Sequence, residues 1–266
     1  MKKIHLAATV VLLRITDEPL QVFLLRRHGG HEFMANRWVF PGGRLDDADG
    51  DLRITALRET FEESGLLLAR RPDEDHYLDL RDPRLADQFQ ALRHQVDQGA
   101  LTLPQLLHQQ NLEPAVEDLH FFAHWITPDF ESRRYDTRFF AARAPAHQAA
   151  THDDGETTQG QWWTPTDAIN AYRDGQILLA PPTLRVLEEL AQITTPKAFF
   201  DDLQQRPAPP TILPHPLQLE SGEVALALPG DPDYPDEHAE LDHIEPVRDG
   251  VTRMILRDGQ WFSQRS

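Results

Sequence analysis

The stretch Arg58-Glu59-Thr60-Phe61-Glu62-Glu63-Ser64-Gly65-Leu66 constrains this chain more than any other, and it follows shortly after Phe40-Pro41-Gly42-Gly43. Ile54, Leu57 and Phe61 recur at helical spacing, which predicts a helix over 51–67 with those residues on its inner face. Side chains three and four apart on a helix share a face, so Glu59, Glu62 and Glu63 gather on the side opposite the apolar one. Like charges placed together raise one another's pKa values unless cations lie between them. Hard oxygen donors in such an array suit Mg²⁺ or Mn²⁺, which bind through a few carboxylates and the phosphates of a substrate. An acidic helix face alone is ordinarily solvated surface, and Arg58 with Glu62 is an ordinary i,i+4 ion pair. The full string, closed by Gly65 and preceded by two glycines, favours a site over a surface.

The pattern Arg-Glu-x-x-Glu-Glu-x-Gly, from Arg58 to Gly65, resembles the Nudix box, the signature of hydrolases acting on nucleoside diphosphates linked to another moiety. The preceding loop departs from that signature. A glycine is expected fourteen residues before the arginine and a glutamate eight before it, whereas Gly43 lies fifteen before Arg58 and position 50 is Gly50. The loop thus carries one extra residue, and Asp46, Asp47 or Asp49 is left to stand in for the missing glutamate.

Further pieces resemble one Nudix subfamily, the coenzyme A diphosphatases of the moiety-X motif 19 type, peroxisomal in mammals, and their bacterial relatives. They are Glu32-Phe33-Met34, the run from Val39 to Asp46, Trp125-Ile126-Thr127-Pro128, the run from Arg133 to Phe140, Leu179-Ala180-Pro181-Pro182 and Leu228-Pro229-Gly230-Asp231. A signature of other coenzyme A Nudix enzymes fits less well: Arg27 matches it, but Glu32 and Asn36 stand where an arginine and a glycine are expected.

The resemblance implies an α/β Nudix fold, a mixed β-sheet sandwiched between helices, with a helical insertion at 69–117 and a C-terminal β-rich extension. It implies a hydrolase domain over 1–205 and an extension over 206–266 packed on it, divided at the proline-rich stretch Arg206-Pro207-Ala208-Pro209-Pro210. The implied substrate is coenzyme A or an acyl-coenzyme A, split to adenosine 3′,5′-bisphosphate and (acyl-)4′-phosphopantetheine. ADP-ribose or a dinucleotide is the alternative within the class, and a non-catalytic nucleotide-binding module the alternative outside it. Such modules typically lose box glutamates, and all three are present here. A homodimer is a further family expectation.

Glu59, Glu62 and Glu63 are the expected metal ligands, with the Gly43 carbonyl as a further one and Arg58 as the group that holds a box glutamate in place. Nudix enzymes often carry a loop glutamate that binds metal or serves as base where this chain has Glu156, six residues before Trp162; beside Asp153 and Asp154 it reads equally as a solvent-facing acid. Either Glu156 or Glu59 is placed to take a proton from water. Arg26, Arg27, His28, His31, Arg37 and Arg44 flank the two glycines, while Arg133, Arg134 and Arg138 mark a second basic stretch. Arg27, Arg37, Arg44 and Arg134 are the expected phosphate contacts among them. Trp38, Trp125 and Trp162 could stack on adenine, but tryptophans in strand patterns are more often core. His120 and His124 lack metal-ligand spacing and read as structural.

Composition sets outer bounds. With no cysteine among 266 residues, disulfides, thiolate catalysis and cysteine-held metals are excluded. A formal net charge of −17 disfavours nucleic acid and anionic membrane as partners, so an anionic small-molecule substrate needs a local basic patch and a bound cation. The apolar run from Ile4 to Leu13 is interrupted by His5, ended by Arg14 and followed by no cleavage pattern, which reads as a buried strand rather than a leader. The expectation is a soluble cytoplasmic protein.

Among other elements, the pattern predicts a hairpin of residues 4–14 and 20–27 turning at Thr16-Asp17-Glu18-Pro19, and a strand at 38–40 entering a Gly42-Gly43 turn. It predicts helices over 84–98 and 104–110 with Thr102 as a cap, strands at 119–127 and 134–143, and a helix opened by Thr164-Pro165. The acidic, proline-containing stretch from Asp231 to Asp242 reads as a solvated loop or as locally disordered.

Overall fold

A computed structural model of the chain describes residues 2–15, 19–29, 36–153, 157–236, 241 and 243–265. The expected turn at Thr16-Asp17-Glu18, His31, the segment Glu32-Phe33-Met34 and Glu156 lie outside the described residues.

The apolar N-terminal run becomes β1 (Ile4–Ile15), joined antiparallel to β2 (Leu20–Arg27). Val10 to Leu13 are wholly buried because β1 lies inside the sheet with both faces covered, the condition that produces continuous rather than alternating apolar sequence. The strand expected at 38–40 forms as β3 (Arg37–Val39), antiparallel to β2. The Gly42-Gly43 turn is not formed. Gly42 and Gly43 belong instead to a short strand, β4 (Gly42–Arg44), antiparallel to Ala7–Thr9 of β1.

The helix carrying the glutamates, α1 (Leu52–Ser64), is capped by the Asp51 carboxylate, which accepts from the backbone N–H groups of Arg53 and Ile54. It stops three residues short of the expected end because Gly65 takes the left-handed conformation at φ 71° and its N–H closes on the Phe61 carbonyl. Leu66 to Leu68 then run into the core. Leu57 and Phe61 are buried as expected, Ile54 is only half-buried, and Ala56 and Thr60 complete the inner face.

The long insertion folds as β5 (Ala69–Arg70), α2 (Pro83–Asp97), α3 (Leu103–Gln109) and β6 (Glu113–Pro114), with β5 and β6 pinning its ends together. Thr102 and Gln105 form a reciprocal capping box at the start of α3. Then come β7 (His120–Ile126), β8 (Arg134–Arg143), β9 (Thr157–Trp163), α4 (Pro165–Arg173), β10 (Leu178–Leu179), α5 (Pro181–Leu190) and α6 (Pro196–Asp202). β8 lies parallel to β1 in a ten-residue register from Ile4↔Arg134 to Leu13↔Arg143.

Among the described residues β1 to β4, β7 to β10 and β11 (Thr211–Ile212) make one mixed sheet, ordered β10-β3-β2-β1-β8-β7-β11 with β4 on β1 and β9 on β2. One face packs Val10, Leu12, Phe23 and Phe140 under Leu57 and Phe61 of α1 and Phe89 of α2. The other packs Val11, Leu13, Val22 and Leu24 under Tyr172 of α4 and Leu184 and Leu187 of α5. The sheet is therefore sandwiched between helices. No helix among the described residues is long and apolar enough to cross a membrane.

The C-terminal strands β12 (His215–Gln218), β13 (Val224–Ala227), β14 (Val251–Arg257) and β15 (Gln260–Arg265) form a second antiparallel sheet. It sits against α4 and α5: the Trp261 N–H donates to the Tyr172 hydroxyl at 2.5 Å, and Arg173 donates to the Trp261 carbonyl at 2.7 Å. The start of the acidic stretch is not solvated as expected. Asp231 is buried and paired with Arg253, and buried Tyr234 donates to the Leu213 carbonyl at 2.8 Å; residues 237–240 and 242 lie outside the described residues.

Candidate active site

The site is built where β4 crosses α1. The Gly42 N–H donates to Glu63 Oε2 at 2.8 Å, so Glu63 is drawn into the structure and is only 4% exposed. Expectation had placed it facing away from the core. A Cβ on Gly43 would lie 2.3 Å from Glu59 Oε1, which shows how closely that carboxylate approaches the strand. Neither glycine has positive φ. What the pair supplies is close backbone approach, not a turn.

Arg58 gathers the acids. Its Nε donates to Asp49 Oδ1 at 2.9 Å, its Nη1 lies 2.9 Å from Glu59 Oε1 and 2.7 Å from Glu62 Oε2, and its Nη2 donates to the Arg44 carbonyl at 2.9 Å. Because two carboxylates meet the same nitrogen, Glu59 and Glu62 are held as immediate neighbours. Burial pulls against the charged guanidinium, but the hydrogen bond to Asp49 and the charges of Glu59 and Glu62 raise its pKa well above the ordinary arginine value. Burial, opposed by Arg58 and reinforced by Glu59, pushes the Glu62 carboxyl up to about 7.

Asp49 is the loop acid that the sequence left undecided. It is buried, accepts from Thr55 Oγ1 at 2.9 Å and from the Asp46 N–H at 3.1 Å, and engages Arg58 through both oxygens. Asp46 and Asp47 are exposed. Asp49 follows Gly43 by six residues, as the pattern's glutamate follows its glycine, so the extra residue falls between acid and arginine.

Among the described residues, no three His, Asp or Glu side chains converge in a geometry that could hold a metal ion. In this arrangement Arg58 takes an oxygen each of Glu59 and Glu62, and Gly42 takes one of Glu63. The donor chemistry nonetheless fits a hard divalent cation. Three glutamates are packed along one helix edge, Glu59 and Glu62 side by side on Arg58 and Glu63 against the Gly42 N–H, so hard oxygen donors are gathered at one place.

The expected phosphate contacts divide. Arg44 is exposed on β4 beside Gly43, Arg37 is half-buried on β3, and Arg27 is half-buried at the end of β2. Strand alternation sets Arg27 on the side of Phe23 and Leu25, the face that α1 covers. Arg134 is a correction: it is 1% exposed and its Nε donates to the Thr127 carbonyl at 2.8 Å, clamping the β7–β8 connection rather than meeting solvent. Of the tryptophans, Trp38 and Trp125 are core, and Trp162 lies half-buried under Arg14, 4.1 Å away. His124 is structural, bonded through Nε2 to Asp136 at 2.5 Å and through Nδ1 to Thr211 at 2.8 Å. One residue next to the box went unnoticed in the sequence: Arg93 of α2, whose Nε donates to the Glu62 carbonyl at 2.8 Å. Its only sequence signal is that it shares an i, i+4, i+7 stripe with Phe89 and Val96.

Residues 49–190 match the NUDT19 Nudix domain family. The acyl-coenzyme A diphosphatase NUDT19 of Xenopus laevis is 27% identical over an alignment covering 91% of this chain and 79% of that protein. The human protein of the same name is 28% identical, covering 80% of this chain; the chain spans 58% of that protein's length. A crystal structure of a Nudix hydrolase from Alicyclobacillus acidocaldarius superposes with a TM-score of 0.63 at 24% identity, over 78% of this chain and 100% of that one.

Proposed function

The chain belongs to the NUDT19 Nudix domain family, and from that premise we propose that it hydrolyses the diphosphate of coenzyme A or an acyl-coenzyme A, giving adenosine 3′,5′-bisphosphate and (acyl-)4′-phosphopantetheine. The names of the frog and human relatives support that substrate class. The observation that carries the hydrolytic reading is the pairing of Glu59 and Glu62 on Arg58 with Glu63 held by β4 on the same helix edge.

Glu59, Glu62 and Glu63, with the Gly43 carbonyl, are the groups to hold Mg²⁺ or Mn²⁺. Such an ion would neutralise the diphosphate and lower the pKa of the attacking water. The chain's own residues do the rest. Glu63 is fixed by the Gly42 N–H, and Arg58, itself anchored by Asp49, sets the spacing of Glu59 and Glu62. Water adds its oxygen to one phosphorus, a carboxylate receives its proton, and the bridging oxygen leaves with the other phosphate. Glu59 and Glu156 are the candidates for that carboxylate. Arg27, Arg37 and Arg44 supply the positive charge that a polyanionic substrate needs in a chain of net charge −17. We assign this work to residues 1–205 and read 206–266 as an extension packed on α4 and α5.

The test is hydrolysis of coenzyme A, an acyl-coenzyme A, ADP-ribose and a dinucleotide in Mg²⁺ by the wild type and Glu63→Gln. Turnover of the coenzyme A compounds, lost by more than about 100-fold in the variant, is the expected result. Preferential cleavage of ADP-ribose or the dinucleotide would overturn the substrate, and no cleavage by the wild type would overturn the activity.

A further inference from the structure

The box helix ends badly for its charge. Glu62 and Glu63 lie in the last turn of α1, where the helix dipole disfavours anions, and α1 has no basic residue of its own in that turn. Four terminal carbonyls must also find partners from outside the helix or from its cap. The Gly65 N–H takes that of Phe61, and the Thr151 N–H takes that of Ser64 at 2.9 Å. The Glu62 carbonyl is taken by Arg93 Nε at 2.8 Å.

Arg93 comes from α2, within the insertion, and is 3% exposed. Phe89 and Val96, four before and three after it, pack with Leu57 and Phe61 and so bring the guanidinium to the end of α1. Its Nη1 donates to Thr151 Oγ1 at 2.7 Å. Arg93, α1 and residue 151 therefore close a ring of bonds, with Thr151 held by both. Gly65 belongs to the same arrangement, because a Cβ there would lie 3.0 Å from Arg93 Nη1.

We propose that Arg93 is a positioning residue for the carboxylate face: the insertion reaches across to fix the last turn of the box helix, so that Glu62 and Glu63 meet a divalent cation in one register. The inference rests on the reading that this face binds such an ion. Arg93 does not touch the ion or the substrate; it acts through the Glu62 backbone and the segment at Thr151. A planar guanidinium spans both partners, whereas a lysine ammonium on a flexible stem does not hold the same fork.

The experiment compares wild type, Arg93→Met, Arg93→Lys and Thr151→Val. Mn²⁺ affinity is measured by titration calorimetry without substrate, and kcat and KM for coenzyme A at saturating Mg²⁺. Groups that orient metal ligands typically contribute about 10–100-fold. The expected result for Arg93→Met is at least about 10-fold weaker Mn²⁺ binding and a similar fall in kcat, with KM moved less than about threefold. Arg93→Lys should recover part of both. Thr151→Val, an exposed position, should keep the fold and lose about threefold, which tests the ring should Arg93→Met not fold. Folded Arg93→Met that binds Mn²⁺ as tightly as wild type, or Thr151→Val indistinguishable from wild type, overturns the role of Arg93. Wild type that neither binds Mn²⁺ nor cleaves coenzyme A overturns the functional reading instead.

Discussion

Replacing Gly43 and Gly42 by alanine separates what holds the fold from what serves the site. At Gly43 the new Cβ would sit 2.3, 2.5 and 2.7 Å from Oε1, Cδ and Oε2 of Glu59. Ordinary contact needs roughly 3.5 Å, so the carboxylate must retreat by about 1 Å. That is the free end of a flexible side chain, and the retreat costs about 0.5–1.5 kcal/mol of rotamer strain plus about 1 kcal/mol for the largely buried contact with Arg58. Lower unfolded-state entropy returns about 0.4–1 kcal/mol. The net loss is about 1 kcal/mol, or about 2–4 °C in Tm for a chain of this size.

At Gly42 the obstacles include backbone, the Ala8 carbonyl oxygen at 2.5 Å and the Thr9 Cα at 2.6 Å, besides Thr9 Oγ1 at 2.5 Å. β4 must then leave β1, which breaks the ladder and the 2.8 Å bond from the Gly42 N–H to Glu63. We expect a loss above about 3 kcal/mol, near 10 °C. Thermal unfolding by circular dichroism reads stability, and phosphate-ester product release reads turnover. Gly43→Ala should stay folded at 25 °C yet lose about 10-fold or more in Mg²⁺-dependent turnover. Equal melting temperatures for the two variants would refute the steric reasoning, and full activity in Gly43→Ala would refute the role of Glu59.

Other variants address the remaining contacts. Asp49→Ala leaves Arg58 without its two-oxygen partner and should cost about 3 kcal/mol by urea unfolding, while the exposed Asp46→Asn and Asp47→Asn change little. Glu62, pushed up to about 7, binds a proton more tightly folded than unfolded, so its contribution is greatest below about pH 4.5 and is lost as pH rises to 7. In EDTA, wild type should therefore lose on the order of 2 kcal/mol relative to Glu62→Gln between pH 4.5 and 8; parallel stability profiles would refute this. Arg253→Met strands the buried Asp231 charge and should lower Tm by about 6 °C or more, with turnover of the folded enzyme unchanged at 25 °C.

Local signals in the sequence located most elements. The apolar run of β1, the Thr102 cap of α3, the Thr164-Pro165 start of α4 and Gly65 at the end of α1 are written in neighbouring residues. Tertiary contacts decided the rest. Two glycines after a proline read as a turn, and only pairing with Ala7–Thr9 makes them a strand. Three aspartates in one loop are equivalent until Arg58 selects Asp49. Arg134 read as a phosphate contact because it stands in a basic stretch, although Thr127 receives it inside the β7–β8 connection. Asp231 read as solvated because its segment is acidic, whereas its partner Arg253 lies 22 residues away. Arg93 carries no local mark, since the Glu62 carbonyl it meets is backbone 31 residues upstream.

The parallel alignment of β1 with β8 also dictates an order of events during synthesis. Ile4 finds its neighbour only in Arg134, roughly 130 residues later, so a ribosome adding about 5–20 residues per second leaves that flank of the first strand bare for on the order of ten seconds. On the opposite edge β2 pairs with Leu13–Ile15 and β4 with Ala7–Thr9, both from segments made early. Until β8 emerges, Val10 to Leu13 form a sticky ribbon that invites chaperone capture or pairing with another nascent chain.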